Sequence, residues 1–189
     1  MTETSHPGGR STAPGQPALR RSDALEVAAC VVGAGPVGAT LAATLAAAGL
    51  PTAVVDAQAL PPMELEGFDG RAYAIALTSK RLLEASGVWD RLPEPPCPIL
   101  EIRVADGRPS EPASRLSLHF RAEEVGPEPF GYMVEARLLR LALNARLPHL
   151  PHLRVFAPAR ASVERRPEGA ELRLSTGHAI RARLVVAAE

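Results

Sequence analysis

Residues 27–55 carry no formal charge, and this uncharged run limits the possible folds more than any other feature. On hydropathy alone a membrane span would fit it. Its four glycines and two prolines instead fall where a strand–turn–helix–turn–strand unit needs them. That placement argues against a membrane helix and against an ordinary Ala/Gly-rich core helix. Residues 28–32, Ala28-Ala29-Cys30-Val31-Val32, have the length of a fully buried parallel strand. Gly33-Ala34-Gly35-Pro36-Val37-Gly38 then reads G-x-G-x-x-G. Residues 36–48 suit a helix of small side chains, which Gly49 and Pro51 end. Residues 52–55 form a second strand with Asp56 at its C-terminal end.

Each part has a physical task. Gly33 permits a tight turn out of the strand, Gly35 lets a pyrophosphate approach the backbone, and Gly38 lets the helix lie close to the sheet. Ala42 and Ala46 keep that helix face small at i+4 spacing. The helix N-terminus offers unpaired N–H groups and a positive dipole end to phosphates. Asp56 follows Gly33 by 23 residues, where an acid accepts hydrogen bonds from ribose hydroxyls. A lone G-x-G-x-x-G is weak evidence, but here the flanking elements agree with it, and the unit reads as a dinucleotide site.

The 21 basic and 21 acidic residues balance, which lends no support to nucleic-acid binding or to attraction by an anionic membrane. Cys30 and Cys97 suggest neither a disulfide framework nor a zinc site, and a reducing cytosol suits them. None of His6, His119, His149, His152 and His178 has metal-ligand spacing beside a second ligand, so no metal site is expected. Residues 1–26 are rich in Ser, Thr, Pro and Gly and read as a disordered tail without a secretory or organellar leader.

Residues 57–70 read as a loop leading to Arg71 and the apolar segment 72–77. Thr78 or Ser79 is placed to cap a helix over residues 80–85. Residues 93–98 form a proline-rich connection, and 99–104 and 116–120 alternate as two half-buried antiparallel strands. Residues 131–134 lead into a helix over about 135–146. Short strands follow at 153–156, 161–165, 170–174 and 178–181, the middle two as a hairpin about Pro167-Glu168-Gly169. Residues 184–188 suit a buried strand that returns to the first sheet. Such a strand normally delivers a loop and a helix to the ligand, but here Glu189 ends the sequence. The expectation is a fragment or a truncated product. Tyr73, Trp89 and Tyr132, at element ends, are expected to pack rather than bind.

Four segments together resemble the flavoprotein aromatic hydroxylases, and among them the ring hydroxylases of ubiquinone biosynthesis. They are Val31-Val32-Gly33-Ala34-Gly35-Pro36-Val37-Gly38; Asp69-Gly70-Arg71-Ala72-Tyr73-Ala74-Ile75-Ala76-Leu77 with Gly87-Val88-Trp89; Gly131-Tyr132-Met133-Val134-Glu135-Ala136-Arg137-Leu138-Leu139; and Leu184-Val185-Val186-Ala187-Ala188-Glu189. The order and spacing of all four carry the resemblance.

The resemblance implies an α/β fold, with a Rossmann-like FAD-binding domain, a β-meander and the start of a substrate-domain sheet. It divides the chain into the tail 1–26, the first part of the FAD domain at 27–98, substrate-domain strands at 99–130, and an incomplete FAD domain at 131–189. Such proteins are FAD-dependent monooxygenases that use NAD(P)H and O2 to hydroxylate a phenolic ring. By resemblance Gly33, Ala34, Gly35, Pro36 and Gly38 line the FAD pyrophosphate turn, Asp56 holds the adenosine ribose, and Arg71 reaches the pyrophosphate region. Arg137 lies in a segment that touches FAD in relatives, although Ala136 replaces a polar residue often found there. Glu189 stands where the family commonly has Asp followed by Gly. No catalytic side chain is assigned, because the chemistry belongs to the flavin.

The expected substrate is a polyprenylated phenol precursor of ubiquinone, with other ubiquinone-biosynthesis proteins as partners. The expected location is the cytoplasm, or the periphery of the inner membrane through those partners. The chain as it stands is expected to hold FAD weakly and not to turn over. Two other readings stay open. One is a different FAD enzyme on the same scaffold, an oxidase or a prenyl reductase. The other is a non-catalytic nucleotide-binding remnant or complex subunit.

Overall fold

Small side chains and β-branched runs build the first sheet of the chain. In the computed structural model, which describes residues 24–60, 70–107, 114 and 116–188, the elements fall into two compact units. One comprises residues up to 64 with 143–189, and the other residues 65–142. The expected tail up to residue 23, most of the loop before Arg71 and Glu189 lie outside the described residues.

The first unit is a six-stranded sheet. Its strands are β1 (Ala24–Val32), β2 (Thr52–Val55), β8 (Leu153–Phe156), β9 (Ala161–Arg166), β10 (Gly169–Leu174) and β11 (Ala179–Ala187). Their order is β8-β2-β1-β11-β10-β9. The first four are parallel neighbours, whereas β10 pairs antiparallel with both β11 and β9. Helix α1 (Pro36–Ala47) connects β1 to β2. It buries Gly38, Ala39, Ala42, Ala43 and Ala46, a face of residues no larger than alanine that permits close approach to the sheet. Val27, Cys30, Val55, Leu172, Leu174 and Ile180 belong to one buried apolar cluster.

The second unit holds a three-stranded antiparallel sheet in the order β3-β7-β4, from β3 (Ala72–Ala76), β4 (Cys97–Ile99) and β7 (Gly131–Glu135). It also holds the two-stranded ribbon β5 (Glu101–Ala105) with β6 (Ser117–Arg121). Helix α2 (Leu77–Ala85) follows β3, and α3 (Ala136–Arg146) follows β7. Trp89 and Tyr132 meet edge to face with centroids 5.3 Å apart, and Lys80 Nζ lies 5.9 Å from each ring.

Several expectations need correction. Strand β1 begins at Ala24, inside the stretch read as a tail, because Ala24 and Leu25 continue the pairing with Ala179 and Ile180. The apolar segment after Arg71 is a strand paired with β7, and α2 starts three residues before Lys80. Thr78 and Ser79 therefore lie within the helix, and Ala76 occupies the cap position without a side-chain bond.

The proline-rich connection contains β4, and the strand expected at 99–104 is divided between β4 and β5. Pro98 is tolerated because β4 is an edge strand, where a missing N–H leaves no ladder bond unmade. The β5–β6 ribbon is not half-buried. Ile102 is paired with Phe120 and Val104 with Leu118, and these four side chains keep 40–62% of their surface exposed. The segments at 178–181 and 184–188 are one strand, β11, whose N-terminal half supplies the buried Ile180 and Ala182 while Leu184 is exposed.

Candidate cofactor site

The turn between β1 and α1 sits at the C-terminal edge of the parallel strands, beside the point where the chain moves from β1 to β2 on one side and returns as β11 on the other. Open parallel sheets bind ligands at such a switch point. Gly33 takes φ 101°, a left-handed value that a side chain would oppose. A Cβ at Gly38 would collide with the Gly33 carbonyl oxygen and stand 3.0 Å from the Ala188 Cβ. A Cβ at Gly35 would meet nothing closer than the Ala188 carbonyl oxygen at 3.9 Å. The space in front of Gly35 is therefore open, whereas that behind Gly38 is filled by backbone.

Gly35 is the N-cap of α1, and Pro36 supplies no N–H at the first position. The first helical bond runs from Ala39 N–H to the Gly35 carbonyl at 2.8 Å. Among the described residues no side chain caps this terminus, and no acid lies in its first turn. The terminus thus keeps donors and a positive dipole end for an anion.

Asp56 closes the arrangement. Its Oδ2 accepts from the Ala34 N–H at 2.7 Å and its Oδ1 from the Gln58 N–H at 2.8 Å. Its own N–H donates to the Phe156 carbonyl at 3.0 Å, and its carbonyl accepts from the Ala159 N–H at 2.6 Å. Gly33 N–H donates to the Val55 carbonyl at 2.8 Å. The first unit therefore brings Gly33, Ala34, Gly35, Pro36, Gly38 and Asp56 together. These residues fit a dinucleotide: an open backbone approach at Gly35, an uncapped helix terminus and a carboxylate at the end of β2. The engagement of Asp56 with the turn gave no signal in the sequence, because it depends on a backbone N–H rather than on residue type.

Arg71 and Arg137 belong to the second unit. Arg71 is exposed, and its carbonyl accepts from the Ala136 N–H at 3.0 Å, one residue before Arg137. The Arg137 guanidinium pairs with Glu135 at 2.7 Å and with Glu94 at 3.5 Å. Those two carboxylates balance its charge, a feature that the sequence order alone did not suggest for Glu94. Burial pushes the Cys30 thiol up to about 12, which keeps it protonated within β1. No group of three or more His, Cys, Asp or Glu residues that could hold a metal ion occurs among the described residues. Among the same residues no helix is long and apolar enough to cross a membrane.

The family profile described as "FAD binding domain" matches residues 26–189. The ubiquinone hydroxylase UbiL of Rhodospirillum rubrum is 47% identical over 161 residues, which cover 84% of this chain and 36% of UbiL. The ubiquinone hydroxylase UbiM of Neisseria meningitidis is 30% identical over 165 residues, covering 84% of this chain and 35% of UbiM. The chain thus spans about a third of the length of these curated relatives. Among solved structures, the flavin-dependent monooxygenase PieE in complex with FAD and substrate superposes with a TM-score of 0.57 at 19% identity. It covers 85% of this chain and 30% of PieE. PqsL of Pseudomonas aeruginosa, a probable FAD-dependent monooxygenase, superposes at 0.55 with 19% identity, covering 85% of this chain and 41% of PqsL. At those identities the structures establish the fold.

Proposed function

The chain belongs to the FAD-binding domain family, and from that premise we propose that it forms the cofactor-holding part of an FAD-dependent monooxygenase that hydroxylates an aromatic ring. The observation that carries this reading is the uncapped N-terminus of α1 behind the Gly33–Gly38 contact. Gly33, Ala34, Gly35, Pro36 and Gly38 would form the turn that cradles the FAD pyrophosphate, with the open approach at Gly35, and Asp56 would face the adenosine ribose. Arg71 would add a cation on the pyrophosphate side and Arg137 a second contact held in place by Glu135 and Glu94. Bound FAD would carry electrons from NAD(P)H to O2 for ring hydroxylation, and the protein's share is to bind, orient and keep water out.

The identity with UbiL and UbiM supports a polyprenylphenol intermediate of ubiquinone biosynthesis as the substrate. In the same reading the protein would work alongside other proteins of that route, in the cytoplasm or at the inner membrane through those partners. In this reading residues 27–98 and 131–189 serve FAD, and 99–130, with the exposed apolar ribbon, begin the substrate side. Two experiments test it. Fluorescence titration of FAD against the chain should show saturable quenching that ADP reverses. Cells in which the gene is disrupted should accumulate a polyprenylphenol lacking a ring hydroxyl, and an unchanged quinone profile would contradict the assignment.

A further inference from the structure

We propose that Asp56 is a positioning residue, whose carboxylate sets the shape of the phosphate-binding turn through the Ala34 backbone; this rests on the FAD reading of the site. One peptide plane links the carboxylate to the turn. The Gly33 carbonyl and the Ala34 N–H belong to the same trans peptide, so they point in opposite directions. The N–H end donates to Asp56 Oδ2 at 2.7 Å, while the carbonyl end abuts the bare Cα of Gly38 at the start of α1. Fixing one end of the plane fixes the other, and with it the direction in which the terminus of α1 presents its free N–H groups.

The fixed point is well held. Gln58 N–H engages the other carboxylate oxygen, and both backbone groups of Asp56 are bonded to the chain that leaves β8, through Phe156 and Ala159. A bond from a neutral N–H to an ionised carboxylate is among the shorter and stronger kinds, and Ala34 is wholly buried, so water does not compete well for its N–H. A carboxylate has about four acceptor positions. Two serve the backbone and the remainder can meet ribose hydroxyls. Asp56 therefore acts on the cofactor by two routes, and the route through the turn reaches the pyrophosphate.

ADP and 2′,3′-dideoxy-ADP separate the routes, since the second ligand keeps the pyrophosphate and lacks the hydroxyls. Both are titrated against the wild-type chain, Asp56→Ala and Asp56→Asn. Asp56→Ala should weaken 2′,3′-dideoxy-ADP tenfold or more, and ADP by at least that factor. Asp56→Asn should fall between, because its amide oxygen still accepts from Ala34. In the ligand-free chain, hydrogen exchange at the Ala34 amide should rise at least tenfold in Asp56→Ala and less in Asp56→Asn. A penalty confined to ADP, or unchanged exchange at Ala34, overturns the proposal. Should Asp56→Ala unfold, the isosteric Asp56→Asn carries the same comparison. If the wild-type chain binds neither ligand, the FAD reading fails, while the exchange measurement still decides the role of Asp56.

Discussion

Gly38 presses its bare Cα against the carbonyl oxygen of Gly33, with no room between them for a Cβ. This contact joins the end of β1 to the start of α1 and sets how near the helix comes to the sheet. Gly38→Ala should therefore both destabilise and disarm the chain. Overpacking of this kind costs about 1–3 kcal/mol, or a melting temperature lower by roughly 2–12 °C for a chain of this size. Differential scanning calorimetry reads the first effect, and loss of FAD quenching reads the second.

The two arginines should both matter to FAD. Arg71→Gln should weaken FAD by about 1.5–3 kcal/mol, the contribution of a hydrogen bond to a charged group. Arg137→Gln leaves Glu135 and Glu94 without their shared cation. It should cost about 0–1 kcal/mol of stability, as partly exposed pairs do. FAD titrations and melting curves of both variants read these effects, and a variant with unaltered FAD affinity would remove its arginine from the site.

The two thiols should differ in reactivity. Cys97 is exposed and Cys30 is buried with its pKa pushed up to about 12. Iodoacetamide at pH 8 should modify Cys97 in the native chain and reach Cys30 only after denaturation, which intact-mass spectrometry resolves. A raised folded-state pKa also carries a sign. Its stabilising contribution is present below the ordinary thiol range and is lost as pH rises toward about 12. Alkaline unfolding should accordingly occur at higher pH in Cys30→Ala than its neutral-pH stability alone would predict.

On the exposed ribbon, bonds from His119 and then Arg103 hold the Glu101 carboxyl below the usual glutamate range. A depressed carboxyl pKa stabilises the fold at higher pH, and the contribution is lost as pH falls through the lowered value. His119→Gln should bring the Glu101 midpoint back toward the ordinary range in a carboxyl-detected NMR titration. An unmoved midpoint would show that His119 does not set it.

Local patterns were legible in the sequence and distant pairings were not. The run from Cys30 through Gly33, Gly35 and Gly38 to Asp56 announces a strand, turn, helix, strand and acid because each signal lies within a few residues of the next. The hairpin about Pro167 and Glu168 was readable for the same reason. By contrast β3 pairs Ala72 with Glu135 and Ala76 with Gly131, far apart in sequence, and its alanines carry little strand preference. Pro98 hid β4, since an edge strand tolerates proline where an inner one would not. Arg181 and Arg183 interrupted the apolar pattern of β11, so one strand read as two. The alternation of Ile102, Val104, Leu118 and Phe120 gave two antiparallel strands but not their exposure, which depends on what covers that face.

In the proposed site the turn between β1 and α1 binds the pyrophosphate of FAD. The most direct test is an amide NMR titration of the isotope-labelled chain with FAD, carried to millimolar concentration so that weak binding is still seen. Saturable shifts are expected at Gly33, Ala34, Gly35, Val37 and Gly38, reproduced by ADP and abolished by Gly38→Ala. Saturable binding that leaves these amides unmoved, or no binding at any concentration reached, would contradict it.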